Sequence, residues 1–196
     1  MYSTFFDTNT YFIDENVNYF KFENCYKIFN EKGENIGTIN QKLTAGQKVL
    51  RLFMNKANLP FLFEIRNSNN EIEASISRGW TFFLSKIIIK DAIGNKIGSV
   101  QQKFKIIKPG FKIFNNMGII IAEISGDWKA WNFVITDNSN VPIGSISKKW
   151  AGIAKEFFTT ADKYNVNIDP NYSNKENKIV ILSSALTIDM VLKESK

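Results

Sequence analysis

An eight-residue segment recurs five times in this chain, and that recurrence constrains the fold more than any other feature. Ile36-Gly37-Thr38-Ile39-Asn40-Gln41-Lys42-Leu43 returns as Glu73-Ala74-Ser75-Ile76-Ser77-Arg78-Gly79-Trp80 and as Ile97-Gly98-Ser99-Val100-Gln101-Gln102-Lys103-Phe104. It returns again as Ile121-Ala122-Glu123-Ile124-Ser125-Gly126-Asp127-Trp128 and as Ile143-Gly144-Ser145-Ile146-Ser147-Lys148-Lys149-Trp150. The starts lie 37, 24, 24 and 22 residues apart, which points to a repeated supersecondary unit. Before each copy stand an apolar run and a polar turn: Tyr26–Phe29 before Asn30–Asn35, Phe61–Ile65 before Asn67–Asn70, Lys86–Lys90 before Asp91–Asn95, Phe111–Phe114 before Asn115–Gly118, and Phe133–Ile135 before Thr136–Asn140. Strand, polar turn, strand is a hairpin signal, given five times.

The second residue of each copy is small: Gly37, Ala74, Gly98, Ala122 and Gly144. A small residue held in register fits a tight barrel bend or close passage against a central element, with ordinary strand-edge variation as the alternative. Residues 11–24 and 47–54 read as two more strands, and Glu156–Thr160 with Tyr164–Ile168 as a further pair around Ala161-Asp162-Lys163. So many hairpins without long helical inserts predict an antiparallel sheet that closes on itself and hides its edges. No polar linker divides the chain, so residues 1–196 are expected to form one domain.

The carboxyl end changes period. Ser173 stands three residues before Glu176, as in a capping box, and Ile179, Leu182 and Leu186 follow at helical spacing. Ile181, Ala185, Ile188 and Leu192 fill most of the remaining circumference, so such a helix must be buried on most sides. A β-barrel threaded by its own terminal helix satisfies that demand. The β-branched content leaves a final strand as the competing reading.

Composition narrows the chemistry. With no His among 196 residues, there is no histidine general base and no imidazole metal ligand. The single Cys25 excludes an internal disulfide and an all-thiolate metal site. Any catalysis would fall to carboxylates, lysines or hydroxyls. Glu123 and Asp127 share one face of a strand by alternation and read as solvated or turn carboxylates before they read as an acid–base pair. Asp189 falls inside the buried helix, where a charge must find a partner or shift its pKa; a structural hydrogen-bond network is the first reading and catalysis the second. The amino terminus, Met1–Asp7, lacks the basic start and cleavage site of a secretory signal, and the apolar run Ile179–Leu192 is shorter than a spanning helix requires. The expected location is cytoplasmic, peripheral to the membrane where lipid is bound.

These residues resemble the phospholipid scramblase and tubby carboxyl-terminal-like superfamily, which includes the plant LURP-one-related proteins. The resemblance is strongest over residues 143–192, where Ile143–Trp150 is followed by Glu156–Tyr164 and the apolar run Ile179–Leu192. It implies a mainly β fold, a closed antiparallel barrel of twelve strands around a buried carboxyl-terminal helix. Scramblase-type members carry an acidic segment associated with calcium. Asp162 matches one of its positions, whereas Thr160, Asn171 and Ser173 stand where that pattern has aspartate, and Asp169 is shifted. A hard cation wants several charged oxygen ligands, so no calcium and no other cofactor is expected, with Asp162 a weak remnant. Neither the palmitoylated cysteine clusters nor the proline-rich leader of some relatives is expected.

The net charge of +6 suits an anionic partner. Lys103, Lys105, Lys108 and Lys112 surround Pro109-Gly110, and Lys148, Lys149 and Lys155 flank Trp150. Lysines beside interfacial aromatics can hold anionic headgroups, and tubby-type relatives bind phosphoinositides. A solvated basic surface is the bland alternative. The expected role is therefore non-enzymatic, either an anionic-phospholipid binder or a protein-interaction scaffold, with a hydrolase as a third class and nucleic acid not expected as a partner.

Overall fold

The computed structural model describes residues 4–16, 25–55, 58–80, 86–103, 110–127, 130–148 and 163–193. Twelve strands form one sheet: β1 (Thr10–Asn16), β2 (Cys25–Phe29), β3 (Asn35–Lys42), β4 (Phe61–Asn67), β5 (Ile72–Arg78), β6 (Lys86–Asp91), β7 (Lys96–Lys103), β8 (Gly110–Asn115), β9 (Ile120–Asp127), β10 (Asn132–Asp137), β11 (Pro142–Ser147) and β12 (Lys163–Ile168). Each pairs antiparallel with its chain neighbours, and β1 pairs with β12 to close the barrel. Closure leaves no sheet edge exposed. Helix α1 (Ala45–Leu50) joins β3 to β4; α2 (Lys175–Leu186) and α3 (Ile188–Lys193) follow β12. The expected closed antiparallel barrel around a carboxyl-terminal helix is the observed fold.

The five repeats share one hairpin geometry. Asn30, Asn67, Asp91, Asn115 and Asp137 open the turns, and each side-chain oxygen accepts the backbone N–H groups two and four residues on. The fourth turn residue takes positive φ and is Gly33, Asn70, Gly94, Gly118 or Asn140, the types that tolerate it. Just beyond the turn the register slips. Ile28 faces Gly37 but Phe29 faces Asn35, and the same slip passes over Glu73, Ile97, Ile121 and Ile143. The first residue of every repeat is thus a β-bulge.

The bulge explains the small second residue. Glu73, Ile121 and Ile143 are buried, and Ile36 and Ile97 pack against the core, so the bulged side chain turns inward directly before another inward position. A Cβ on Gly37 would come within 2.1 Å of the Arg66 carbonyl oxygen, and one on Gly144 within 2.3 Å of that of Asn167. On Gly98 it would meet the Phe114 carbonyl oxygen at 2.6 Å and Val180 Cγ1 of the central helix at 2.5 Å. Close approach to a neighbouring strand and passage against the central helix both occur.

Between the bulges, burial alternates along the strands. Ile39, Phe63, Ile65, Ile76, Ile89, Ile113, Ile124, Ile135 and Val166 point into the barrel and are fully or almost fully buried. Into that lumen runs the helix, with every residue from Val180 to Leu192 buried. Each large aliphatic side chain removed from water there contributes about 1.5–3 kcal/mol. Asn174 caps the helix through its side-chain oxygen, which accepts the Asn177 N–H at 2.9 Å, one residue later than the Ser173 cap expected. Asn caps at least as well as Ser, and the chain enters the barrel one step further on. The final-strand alternative is excluded, because residues 179–192 are helical apart from Thr187 and the sheet is already closed.

Two strand expectations change. Residues 47–54 lie on α1 and the turns after it, not on a strand, because Thr44 and Gln47 form a reciprocal capping box that starts a helix. Tyr164–Ile168 is strand β12, but both its edges are taken by β1 and β11, and residues 156–160 lie outside the described residues. Residues 17–24 lie outside them as well.

The lumen is filled tightly enough at the bulges to be tested. Gly98→Val is expected to destabilise the fold by about 1–3 kcal/mol through overpacking against Val180, whereas Gly79→Ala, which meets nothing within 4 Å, stays near wild type. Urea unfolding monitored by circular dichroism checks both.

Candidate functional site

Antiparallel order gives the barrel two unlike ends. One end is made of the five tight hairpin turns, together with the start of β1 and the entry of α2. At the other end lie the longer connections β1–β2, β3–β4, β5–β6, β7–β8, β9–β10 and β11–β12, and the helix finishes there. The hairpin end, including the start of β1 and the helix entry, carries Asp7, Glu31, Glu34, Glu71, Asp91, Asp137, Asp169 and Glu176 against Lys32, Lys96, Lys175 and Lys178. Among the described residues, Lys42, Lys48, Arg51, Lys86, Lys103, Lys148 and Lys163 stand at the connection end against Asp14 and Asp127, with Lys163 paired to Asp14 at 3.2 Å, Lys103 to Glu123, and Lys42 3.9 Å from Glu64. The excess positive charge is therefore concentrated at one end.

Three of the lysines singled out from the sequence are described. Lys103, the last residue of β7, reaches across β8 at Gly110 to form an ion pair with Glu123 of β9. Lys112 of β8 stands opposite Glu123 in register. Lys148, just past β11, holds its ammonium 4.8 Å from the centre of the Trp131 ring, a cation–π geometry, and Trp131 packs on Tyr164 and Phe133. Lys103 is thus engaged with a wall carboxylate, Lys112 stands beside it on the neighbouring strand, and Lys148 sits apart at the rim. Lys105, Lys108, Lys149, Trp150, Lys155 and Asp162 lie outside the described residues.

The carboxylates considered for catalysis have structural partners. Glu123 is held by Lys103, and Asp127 accepts the Ala130 N–H at 3.3 Å. Asp189, buried in the first turn of α3, accepts the Tyr26 hydroxyl at 2.7 Å. Asp169 caps its own turn by accepting the Asn171 N–H. Among the described residues, no group of three or more His, Cys, Asp or Glu side chains comes together to hold a metal.

Three tyrosines on adjacent strands pin the interior. The hydroxyl of Tyr11 (β1) donates to the Phe5 carbonyl, that of Tyr26 (β2) to Asp189, and that of Tyr164 (β12) to the Leu186 carbonyl at 2.6 Å. The last bond satisfies a carbonyl at the break between α2 and α3, where an unpaired group would be costly. Within the helix, Ser184 and Thr187 donate their hydroxyls to the carbonyls of Val180 and Ser183, whereas the fully buried Ser183 hydroxyl has no hydrogen-bond partner. Burial raises the Tyr11 phenol well above its ordinary range, and the carboxylates of Asp7 and Glu73 add to the effect. At the helix entry, burial lowers Lys178, whose ammonium donates to Asn9 Oδ1 at 2.7 Å.

The wall itself does not suit lipid. Outward positions carry Lys27, Thr38, Asn40, Glu64, Arg66, Ser75, Lys90, Gln101, Lys112 and Glu123, while the inward face is apolar. A transmembrane barrel has the reverse arrangement. Among the described residues no helix is long and apolar enough to cross a membrane.

Sequence reasoning missed the apolar surface of the β3–β4 connection, where Val49, Leu52 and Phe53 are exposed. Two signals were there to read. Thr44 and Gln47 have capping-box spacing, and Val49, Leu52 and Phe53 recur at helical intervals of three and four.

A closed antiparallel barrel, apolar within and polar without, wrapped around its own terminal helix defines the structural class. The scramblase family profile matches residues 13–195, nearly the whole chain. The chain belongs to the scramblase family. It is 22% identical over 185 residues to a phospholipid scramblase family protein of Schizosaccharomyces pombe, covering 87% of this chain and 48% of that one. It is 20% identical over 196 residues to altered inheritance rate of mitochondria protein 25 of Saccharomyces cerevisiae, covering 87% and 60%. The chain thus spans about half to three-fifths of the length of these relatives. An X-ray structure of an Arabidopsis thaliana protein aligns with 90% of this chain and 91% of its own at 8% identity, with a TM-score of 0.49.

Loss of the Tyr26 hydroxyl removes a donor from a buried carboxylate. Tyr26→Phe is expected to cost about 1–3 kcal/mol, and a double-mutant cycle with Asp189→Asn should return a favourable coupling. Additive losses in urea unfolding would show that the two groups do not act together.

Proposed function

We propose that this domain is a non-enzymatic, peripheral binder of anionic phospholipid surfaces that meets the bilayer with the connection end of its barrel. The observation that carries this reading is the difference in charge balance: basic residues outnumber acidic ones at the connection end, and acidic ones outnumber basic ones at the hairpin end. Lysines and arginines near an anionic leaflet contribute about 1 kcal/mol each, and the effect fades within a Debye length, so one-sided placement counts for more than net charge. A polar wall and an apolar, helix-filled interior support contact by an end of the barrel rather than by insertion of the wall. Trp80, 54% exposed just beyond β5, is an aromatic of the type favoured at the headgroup level. Membership in the scramblase family and the name of the Schizosaccharomyces pombe relative make phospholipid the natural ligand class. Glu123 and Asp189, each engaged with a structural partner, support binding over catalysis.

A second reading, a protein-interaction scaffold, has its own observation. Ile93, Met117, Ile119 and Val141 are exposed on three hairpin turns of the acidic end. Such a surface suits a protein better than an anionic lipid.

Vesicle co-sedimentation separates the two. Binding to phosphatidylserine- or phosphoinositide-containing vesicles, weak on neutral ones, lost at high salt and indifferent to calcium, is the expected outcome. Lys42→Glu with Lys86→Glu should weaken it about tenfold or more, whereas Lys32→Glu with Lys96→Glu at the hairpin end should leave it nearly unchanged. No binding to any vesicle would falsify the lipid reading and leave the scaffold.

A further inference from the structure

The β3–β4 connection has the build of a small insertion device. Thr44 accepts the Gln47 N–H at 3.2 Å, and the Thr44 N–H donates to Gln47 Oε1 at 2.8 Å, so the start of α1 is fixed by its own residues. Its far end continues in tight turns, with the Leu52 N–H donating to Val49, and those of Phe53 and Met54 to Leu50. Local hydrogen bonds therefore hold the segment's shape, while α1 itself buries no residue.

Val49 stands in the last turn of α1 and Leu52 and Phe53 on the tight turns that follow, and all three side chains are exposed rather than packed on the barrel. Val49 is 56% exposed, Leu52 65% and Phe53 81%, with Met54 beside them at 37%. Apolar side chains of a globular fold are ordinarily turned to the core; here they are presented outward. A contiguous exposed apolar surface on a preformed turn marks an interaction site. Charge selects the occupant. The sequence holds no Asp or Glu between Lys42 and Glu64, whereas Lys48 and Arg51 lie within that stretch; Lys42 at its start is 48% exposed with its ammonium 3.9 Å from Glu64. The exposed apolar residues of the hairpin tips, by contrast, sit among carboxylates.

We infer that Val49, Leu52, Phe53 and Met54 form a wedge that enters the headgroup and upper acyl region of an anionic bilayer, with Lys42, Lys48 and Arg51 resting on the phosphates. This rests on the lipid-binding reading and names the residues that penetrate. A short apolar turn bordered by cations lies in the interface at a depth of about 5–10 Å and does not span it.

The test follows depth at one position. Phe53→Cys in a Cys25→Ser background, labelled with an environment-sensitive nitrobenzoxadiazole fluorophore, is mixed with vesicles of phosphatidylcholine and phosphatidylserine with and without lipids spin-labelled at shallow acyl positions. Blue-shifted emission quenched by the spin labels is expected. The same label on Ser139→Cys, at a hairpin tip, should remain in water. Vesicle binding without a shift at position 53 overturns the wedge and leaves the lipid reading standing; no vesicle binding by the unlabelled wild-type chain overturns both. As an unlabelled check, Leu52→Ser with Phe53→Ser should keep wild-type circular dichroism and melting while losing about tenfold in vesicle affinity. If those substitutions instead dissolve a dimer seen by light scattering and leave vesicle affinity intact, the face is an interface between two copies and the wedge is wrong.

Discussion

A twelve-stranded barrel encloses more space than its inward side chains can fill, and every other feature of this fold answers that fact. Eight strands give an interior that side chains alone can close, and diameter grows with strand number. The chain fills the surplus with its own carboxyl-terminal helix, which is apolar around nearly its whole circumference for that reason. The helix in turn sets conditions on the wall. Where a bulge sends two consecutive side chains inward, the second must be small, and at Gly98 the space saved is occupied by Val180. The recurring small residues thus record packing at the bulges and against the helix, not a binding motif.

The same construction governs how the domain can meet a membrane. Its longest apolar segment is sealed within the barrel, where Tyr26 and Tyr164 hold it by its polar groups. Its wall is polar. Lipid movement of the kind suggested by the family name would therefore have to use a surface other than the helix, or release the helix at the cost of the core. The two ends differ in charge, in part because tight turns favour Asn and Asp as openers. Those residues supply the local hydrogen bonds of the turn, and two of the five are carboxylates.

Much of the barrel was legible in the sequence because its signals are local. Period-two burial, the polar turns and the recurring small residue report strand, hairpin and bulge within about ten residues each. The helix was legible from its apolar circumference, although its cap moved from Ser173 to Asn174, since both residues can cap and only the path into the lumen chooses between them. The β3–β4 connection was misread as a strand because its apolar content was weighed before the Thr44–Gln47 pair. For the basic residues, sequence adjacency was an incomplete guide: Lys103 is paired with Glu123 of β9, twenty positions on, while Lys148 lies over the Trp131 ring.

The sequence by itself determined the number and kind of hairpins, the presence of a helix that must be buried, and the absence of imidazole and disulfide chemistry, because these follow from local geometry and composition. Tertiary structure alone decided which residues became partners across the barrel. Asp189 lies 163 positions from Tyr26, and only closure of β1 on β12 around the helix brings a carboxylate under that hydroxyl. It also decided that Val49, Leu52 and Phe53 face outward and that basic residues outnumber acidic ones at one end. A run of apolar residues records its own spacing but not the side from which the rest of the molecule approaches.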